Sequence, residues 1–213
     1  MIKIKSYLII IILIFLFQTS TFSKIYDEND FNHKYLSDYL LALIFKNNQN
    51  SKDSLKYFNS SKILINKHNN YLKNYTTTLV IDGQVKKSID LIKRNKNKEN
   101  SNFFEAKVLL IIDNIKKKKF NKNLDLLNDI KKYRNHGNHH YIIYEVLKSY
   151  NELFLSKEKN LNLNFNLGKL SLINEAFQLC YLNQPEANLK FFNLINSDEN
   201  DYSRYLFFYF SKL

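Results

Sequence analysis

From Tyr35 onward apolar residues recur every three or four positions, in runs of about 11 to 16 residues separated by short polar joints, as amphipathic helices require. The first run, Tyr35 to Lys46, stops at Asn47-Asn48-Gln49-Asn50. Ser51 is placed to cap the second, in which Leu55, Phe58, Lys62 and Ile65 share a face. Asn69 and Asn70 open a third, which Gly83 ends in the left-handed conformation, and Val85, Ile89 and Ile92 continue as its partner. Phe103 to Ile115 comes next, closed by the lysines at 116 to 119, where cations suit the negative end of a helix. Phe120, Leu124, Leu127 and Ile130 fall at i, i+4, i+7 and i+10, and Tyr141 to Leu155 makes a further helix. The stretch 160–167, NLNLNFNL, alternates with the period of a strand and is expected to interrupt the helices as an irregular segment over 157–168. Helical spacing resumes through Ile173, Ala176, Phe177 and Cys180, Pro185 suits the first turn of a helix reaching Asn196, and Tyr202 to Leu213 closes the chain as an aromatic helix.

Paired in order, these segments suggest a repeat of about 34 residues in which a small residue sits where two helices approach closely. In Tyr35 to His68 the marks are Leu41-Ala42, Phe45, Ser54, Phe58 and Ser61, at positions 7, 8, 11, 20, 24 and 27 of the unit. Asn69 to Asn102 repeats them as Tyr75-Thr76, Leu79, Ser88 and Ile92, with Gly83 at the turn. A third unit, from Phe104, carries Leu110-Ile111, Asn114, Asn123 and Leu127. The pattern resembles the tetratricopeptide repeat (TPR), and the resemblance covers residues 35–134 best. It departs from that family in having no Trp at position 4, no Gly at position 8 and no closing Pro. The resemblance implies an all-α fold, an α-α superhelix or TPR-like solenoid of antiparallel helix pairs, with a concave groove that holds protein or peptide partners. The groove candidates are Asp38, Asn74, Thr78, Lys107 and Asn114.

The N-terminus carries a different pattern. Lys3 and Lys5 precede an unbroken apolar run from Tyr7 to Phe17, and Thr21-Phe22-Ser23 has small residues at −3 and −1, as a secretory signal peptide does. Cleavage is expected between Ser23 and Lys24. Eleven apolar residues in a helix cover only about half of a hydrocarbon core of about 30 Å, which makes an uncleaved inner-membrane anchor the second choice. The expected organisation is a signal peptide at 1–23, an N-terminal extension at 24–34, TPR-like repeats over 35–156, an irregular segment at 157–168, and a further helical repeat at 169–213, cut short at its end. The address implied is a bacterial periplasm or cell envelope.

Charge adds less than it first suggests. The 213 residues carry a net charge of +12, built from 29 Lys and only 3 Arg, beside 31 Asn and 4 Ala. Lys, Asn, Ile, Phe and Tyr belong to A/T-rich codons, so a low-G/C genome accounts for the skew. Phosphate and base recognition leans on the forked, planar Arg, and the scarcity of Arg argues against a nucleic-acid partner. The excess is also uneven: residues 24–134 hold a net +11 and residues 135–213 a net −1. A contact with an anionic polymer or a membrane surface would therefore use the first half.

Candidate chemistry is sparse. Three glycines leave no phosphate-cradling loop, and a single cysteine leaves no disulfide and no cysteine-built zinc site. His136, His139 and His140 cluster in a joint without the framed spacing of a metal site, and Cys180 lies on an apolar stripe with no basic neighbour within a turn. No catalytic, cofactor-binding or metal-binding residue is assigned, and the chain is read as non-enzymatic. The aromatic C-terminal helix, through Tyr202, Tyr205, Phe208 and Tyr209, offers a docking face for another chain or for self-association. Mass spectrometry of the protein exported from a bacterial host should find Lys24 as the first residue; an intact Met1 in a membrane fraction would show an anchor instead.

Overall fold

The computed structural model describes residues 33–96, 99–158, 169–196 and 205–210. The cleavage site Ser23/Lys24, the alternating stretch 160–167 and Tyr202 lie outside them. Ten α-helices and no strand occur among the described residues, an all-α fold. In chain order they are α1 (His33–Asn47), α2 (Ser51–Ser60), α3 (Tyr71–Ile81), α4 (Val85–Arg94), α5 (Phe104–Lys116), α6 (Asn123–Lys131), α7 (Asn138–Ser156), α8 (Lys169–Tyr181), α9 (Glu186–Ile195) and α10 (Leu206–Phe210).

Four hairpins, α1/α2, α3/α4, α5/α6 and α8/α9, turn in the same way. Each first helix ends on a left-handed residue: Gln49 (φ 60°), Gly83 (φ 78°), Lys118 (φ 56°) and Asn183 (φ 55°). The amide of that residue donates to the carbonyl three back, and the next amide donates to the carbonyl five back. The second bond measures 2.9 Å from Asn50 to Phe45, 2.8 Å from Gln84 to Leu79, 2.8 Å from Lys119 to Asn114 and 2.9 Å from Gln184 to Leu179. This is the Schellman arrangement, which satisfies carbonyls the helix end would otherwise leave unpaired. Only one of the four turns uses glycine; each of the others holds a side chain in a conformation that costs about 1 kcal/mol or more.

Within three of the hairpins a buried side chain on the second helix bonds a buried carbonyl on the first, twelve residues earlier. Ser54 Oγ donates to Ala42 O at 2.8 Å, Ser88 Oγ to Thr76 O at 3.1 Å, and Asn123 Nδ2 to Ile111 O at 3.3 Å. All six residues are buried. Where the bulkier Ile111 stands in the place of Ala42, the longer Asn123 makes the reach that Ser54 makes there. Ala176 and Asn188 stand at the same interval in α8/α9.

Apolar packing follows the chain in order. Tyr39, Phe58, Tyr71, Tyr75 and Leu79 make a first core from α1 to α3. Phe104, Ile111, Leu127, Ile130 and Tyr144 make a second from α5 to α7, and Ala176, Phe191 and Leu194 a third in α8 and α9. Helices pack on their successors, and α1 and α5 both touch α3. Polar links join the hairpins. Asp113 of α5 accepts from Lys93 of α4 at 2.6 Å and from Lys117 at 2.7 Å. Asn114 Nδ2 donates to Asn123 Oδ1, and Asn123 Nδ2 to Asn151 Oδ1, both at 2.9 Å. On α7, Ser149 accepts from Asn174 and Gln178 of α8, at 3.3 and 2.5 Å. Glu145, buried on α7, is paired with Arg134 at 2.7 Å.

Three expectations need correction. Asn50, not Ser51, caps α2: its side chain accepts from the Asp53 amide, and the Ser51 hydroxyl donates to Asp82 instead. Leu124 is half exposed, because Asn123 takes the inward position for its bonds to Ile111 and Asn151. The second helix stops at Ser60, and Lys62 and Ile65 belong to a tighter turn, Lys62–Asn66.

Two outcomes follow from this framework. Asn123→Ala removes three bonds to two neighbouring helices, leaving buried Asn151 Oδ1 and half-buried Asn114 Nδ2 without that partner, and should cost about 2–3 kcal/mol in urea unfolding, whereas Ser54→Ala removes one bond and should cost about 1 kcal/mol; equal losses would show that the clamp alone matters. Burial opposes ionisation of Asp113, yet the hydrogen bonds from Lys117 and Lys93 outweigh it and hold the carboxyl below its usual range. Its contribution is therefore complete above about pH 4 and is lost as pH falls through the lowered value. Acid unfolding of Asp113→Asn should show a smaller loss of stability below pH ~4 than the parent chain.

Candidate functional site

The five groove candidates do not converge on one open surface. Thr78 is buried, its hydroxyl bonded to Asn74 O at 2.9 Å. Asn114 belongs to the polar chain running through Asn123 to Asn151. Asp38 accepts from Ser60 at 2.7 Å, and Lys107 pairs with Asp129 at 2.7 Å, both across their own hairpins. Asn74 lies between α1 and α3, accepting from Lys46 at 2.7 Å and donating to the Tyr39 hydroxyl at 3.2 Å. Beside it Lys73 bridges to Glu105 of α5 at 3.0 Å. Burial, helped by Lys73 and opposed by Glu105, lowers the Lys46 ammonium from its ordinary value. These side chains mainly fasten helices to one another.

The terminal aromatics behave similarly. Phe208 sets its ring against Phe177 at 4.8 Å and Phe191 at 5.8 Å, Tyr205 meets Phe177 at 5.9 Å, and Tyr209 meets Phe192 at 5.9 Å. The outward side chains of α10 are Leu206, Phe207 and Phe210. His139 and His140 fall in the first turn of α7 rather than in a joint; His140 packs edge-on against Phe104 at 4.4 Å, and His136 against Tyr133 at 5.4 Å. Among the described residues no three metal-ligating side chains gather. Cys180 is partly buried against the third core.

Residues that do converge line a recess of about 450 Å³ between α2 and α4. Its floor is aliphatic and aromatic: Leu55 from α2, Tyr75 and Leu79 from α3, and Leu91 from α4, with Ile65 at one end. The rim is polar, with Asn59 and Lys62 on one wall and Gln84, Lys87 and Arg94 on the other. The helix repeat explains the second wall, since 84, 87, 91 and 94 all fall on one face at steps of three and four. The Tyr75 hydroxyl donates to Asn59 Oδ1 at 2.7 Å and the Lys62 ammonium stands 6.0 Å from the Tyr75 ring centre. Burial raises the Tyr75 phenol above its ordinary value, against the pull of Arg94.

Among the described residues no carboxylate pairs directly with the three rim cations, although Asp82 lies near enough to attract Lys87. Lys87 donates to Gln84 Oε1 at 2.6 Å and Arg94 Nε to the Asp90 carbonyl at 3.3 Å. The nearby Asp82 carboxylate is occupied by Ser51 at 2.7 Å and Gln84 at 2.6 Å, which hold its pKa low. Three exposed cations thus surround an apolar floor, an arrangement suited to an amphipathic anionic ligand. The sequence pattern Lys87-Leu91-Arg94, at i, i+4 and i+7, carried this signal, but one such pattern does not stand out among 29 lysines.

No known protein-family model matches the chain, and no curated protein or solved structure is similar to it. Among the described residues no helix is long and apolar enough to cross a membrane; the apolar run Tyr7 to Phe17 lies outside them.

Proposed function

We propose that the chain is an exported, non-enzymatic, TPR-like solenoid that binds protein partners as a scaffold in a bacterial periplasm or envelope. The observation that carries this reading is the recurrence of one hairpin design. The same left-handed turn and the same twelve-residue clamp return at intervals of 34 and 35 residues, which is how a chain grows by adding like units rather than by closing one core. Arrays of this kind present long surfaces fixed by rigid helices, and their common use is to hold extended segments of other proteins. The recess at α2–α4 supplies such a surface with apolar floor and polar rim.

A second reading, a binder of anionic polymers or membrane surfaces through residues 24–134, is favoured by the three exposed cations of that recess and the net +11 of that half of the chain. Salt separates the two. A polyanion that neutralises many lysines releases many counterions and loses affinity steeply with salt, whereas a short docked peptide loses little.

The test is selection of the full chain against a random peptide library, beside polyphosphate and anionic vesicles, at about 50 and about 300 mM salt. Recovery of a defined peptide class whose affinity falls less than about tenfold over that range is the expected result. Retention of polyanions or vesicles alone, with a loss of several hundredfold, would replace it with the second reading; retention of nothing would remove both.

A further inference from the structure

We infer that the recess between α2 and α4 takes an acidic peptide segment, extended as in polyproline II, with two carboxylates three residues apart and an apolar side chain between them. This rests on the partner-binding reading above and specifies the ligand class.

The spacing of the cations carries the inference. Lys87 and Arg94 stand seven residues apart on one face of α4, a rise of about 10 Å. A segment in the polyproline-II conformation advances about 3.1 Å per residue with three residues per turn, so side chains three residues apart share a face and cover nearly the same span. Two carboxylates at that spacing can engage both cations at once, one each, whereas a single anion draws both side chains toward one point. Lys62 on the opposite wall stands over the Tyr75 ring and can meet a carboxylate from that side. Between the charged ends lies the aliphatic floor of Leu79 and Leu91, where an apolar side chain would be covered. The amides of Asn59 and Gln84 lie at the rim, at the level where the backbone of an extended segment would run.

Competition from the chain's own acids is weak among the described residues, since the one acid that attracts Lys87, Asp82, already accepts from Gln84 and Ser51. Among the described residues no carboxylate makes an ion pair with Lys62, Lys87 or Arg94, whereas the adjacent Lys93 is already engaged by Asp113. Cations left exposed and close together repel one another, and an incoming pair of carboxylates relieves that repulsion while forming charge-assisted hydrogen bonds.

The probe is a fluorescein-labelled peptide, acetylated and amidated, with the core Asp-Leu-Thr-Asp between Gly-Ser flanks, titrated with the full chain by fluorescence anisotropy at low salt. Lys87→Gln/Arg94→Gln should weaken binding about tenfold, two half-exposed ion pairs being lost. The equal-charge pair Lys116→Gln/Lys131→Gln, outside the recess, should leave it unchanged. Probes with Asn in place of one Asp should lose about threefold and with Asn in place of both about tenfold; replacing Leu by Ser should weaken binding too. Circular dichroism and melting of both double variants should match the parent, since the four residues are exposed.

Equal loss in the two double variants would mean diffuse attraction and would overturn the inference. So would a neutral probe that binds as well as the acidic one. Inorganic phosphate at about 10 mM displacing the probe fully, or phosphatidylglycerol vesicles binding in a Lys87/Arg94-dependent way, would show a single-anion or membrane site instead. If the library selection returns only neutral peptides, or acidic ones indifferent to Lys87→Gln/Arg94→Gln, this ligand class falls and the scaffold reading stands.

Discussion

A helix carbonyl already accepts one bond from its own helix, but it keeps a second lone pair. The hairpins of this protein use that lone pair: Ser54, Ser88 and Asn123 each reach across to a buried carbonyl on the preceding helix. The contact demands a small or polar residue in the interface and a close approach of backbones, so it sets how the two helices can lie. The left-handed turns at Gln49, Gly83 and Lys118 then bring the second helix to the position the clamp requires. Remaining apolar side chains fill space around a geometry fixed by these two features. That order of dependence is why the hairpin survives the exchange of Ser for Asn and of Ala for Thr or Ile.

Polar groups do further work between the hairpins. Asn123 serves the clamp with one bond and Asn151 of the next helix with another, while also accepting from Asn114. A buried amide with several partners stabilises little on balance, yet an arrangement that loses one of them is costly. The effect is to select register between neighbouring hairpins more than to add stability. Asp113, held by Lys93 and Lys117, performs the same service at the α4–α5 boundary. Apolar cores that are three separate clusters, rather than one, leave this joining role to polar contacts.

The same construction explains where a ligand can go. Helices that pack chiefly on their neighbours leave a furrow between successive second helices, and α2 and α4 make one over α3. Its charge is a consequence of which lysines fall on that face. Most of the chain's lysines lie at solvated positions, whereas the three cations above the Leu55–Leu79–Leu91 floor are gathered by folding and, among the described residues, are in no direct ion pair. Surface charge becomes chemistry only when apolar ground lies beside it.

Local periodicity by itself determined the all-α class, the order of the helices within a few residues and the spacing of the small positions, because helical repeat and burial act within one turn. It also marked Gly83, since glycine alone advertises a left-handed turn. The turns at Gln49, Lys118 and Asn183 were silent in the sequence: their conformation is imposed by packing against residue-level preference. Likewise Leu124 read as inward until Asn123 was seen to bond two other helices. The groove candidates were legible as polar residues but not as contacts, and their partners come from elsewhere in the chain. Lys62, Lys87 and Arg94 belong together only because the turn after α2 and the helix α4 border one recess. Proximity between helices is a property of the tertiary structure, and no period along one helix encodes it.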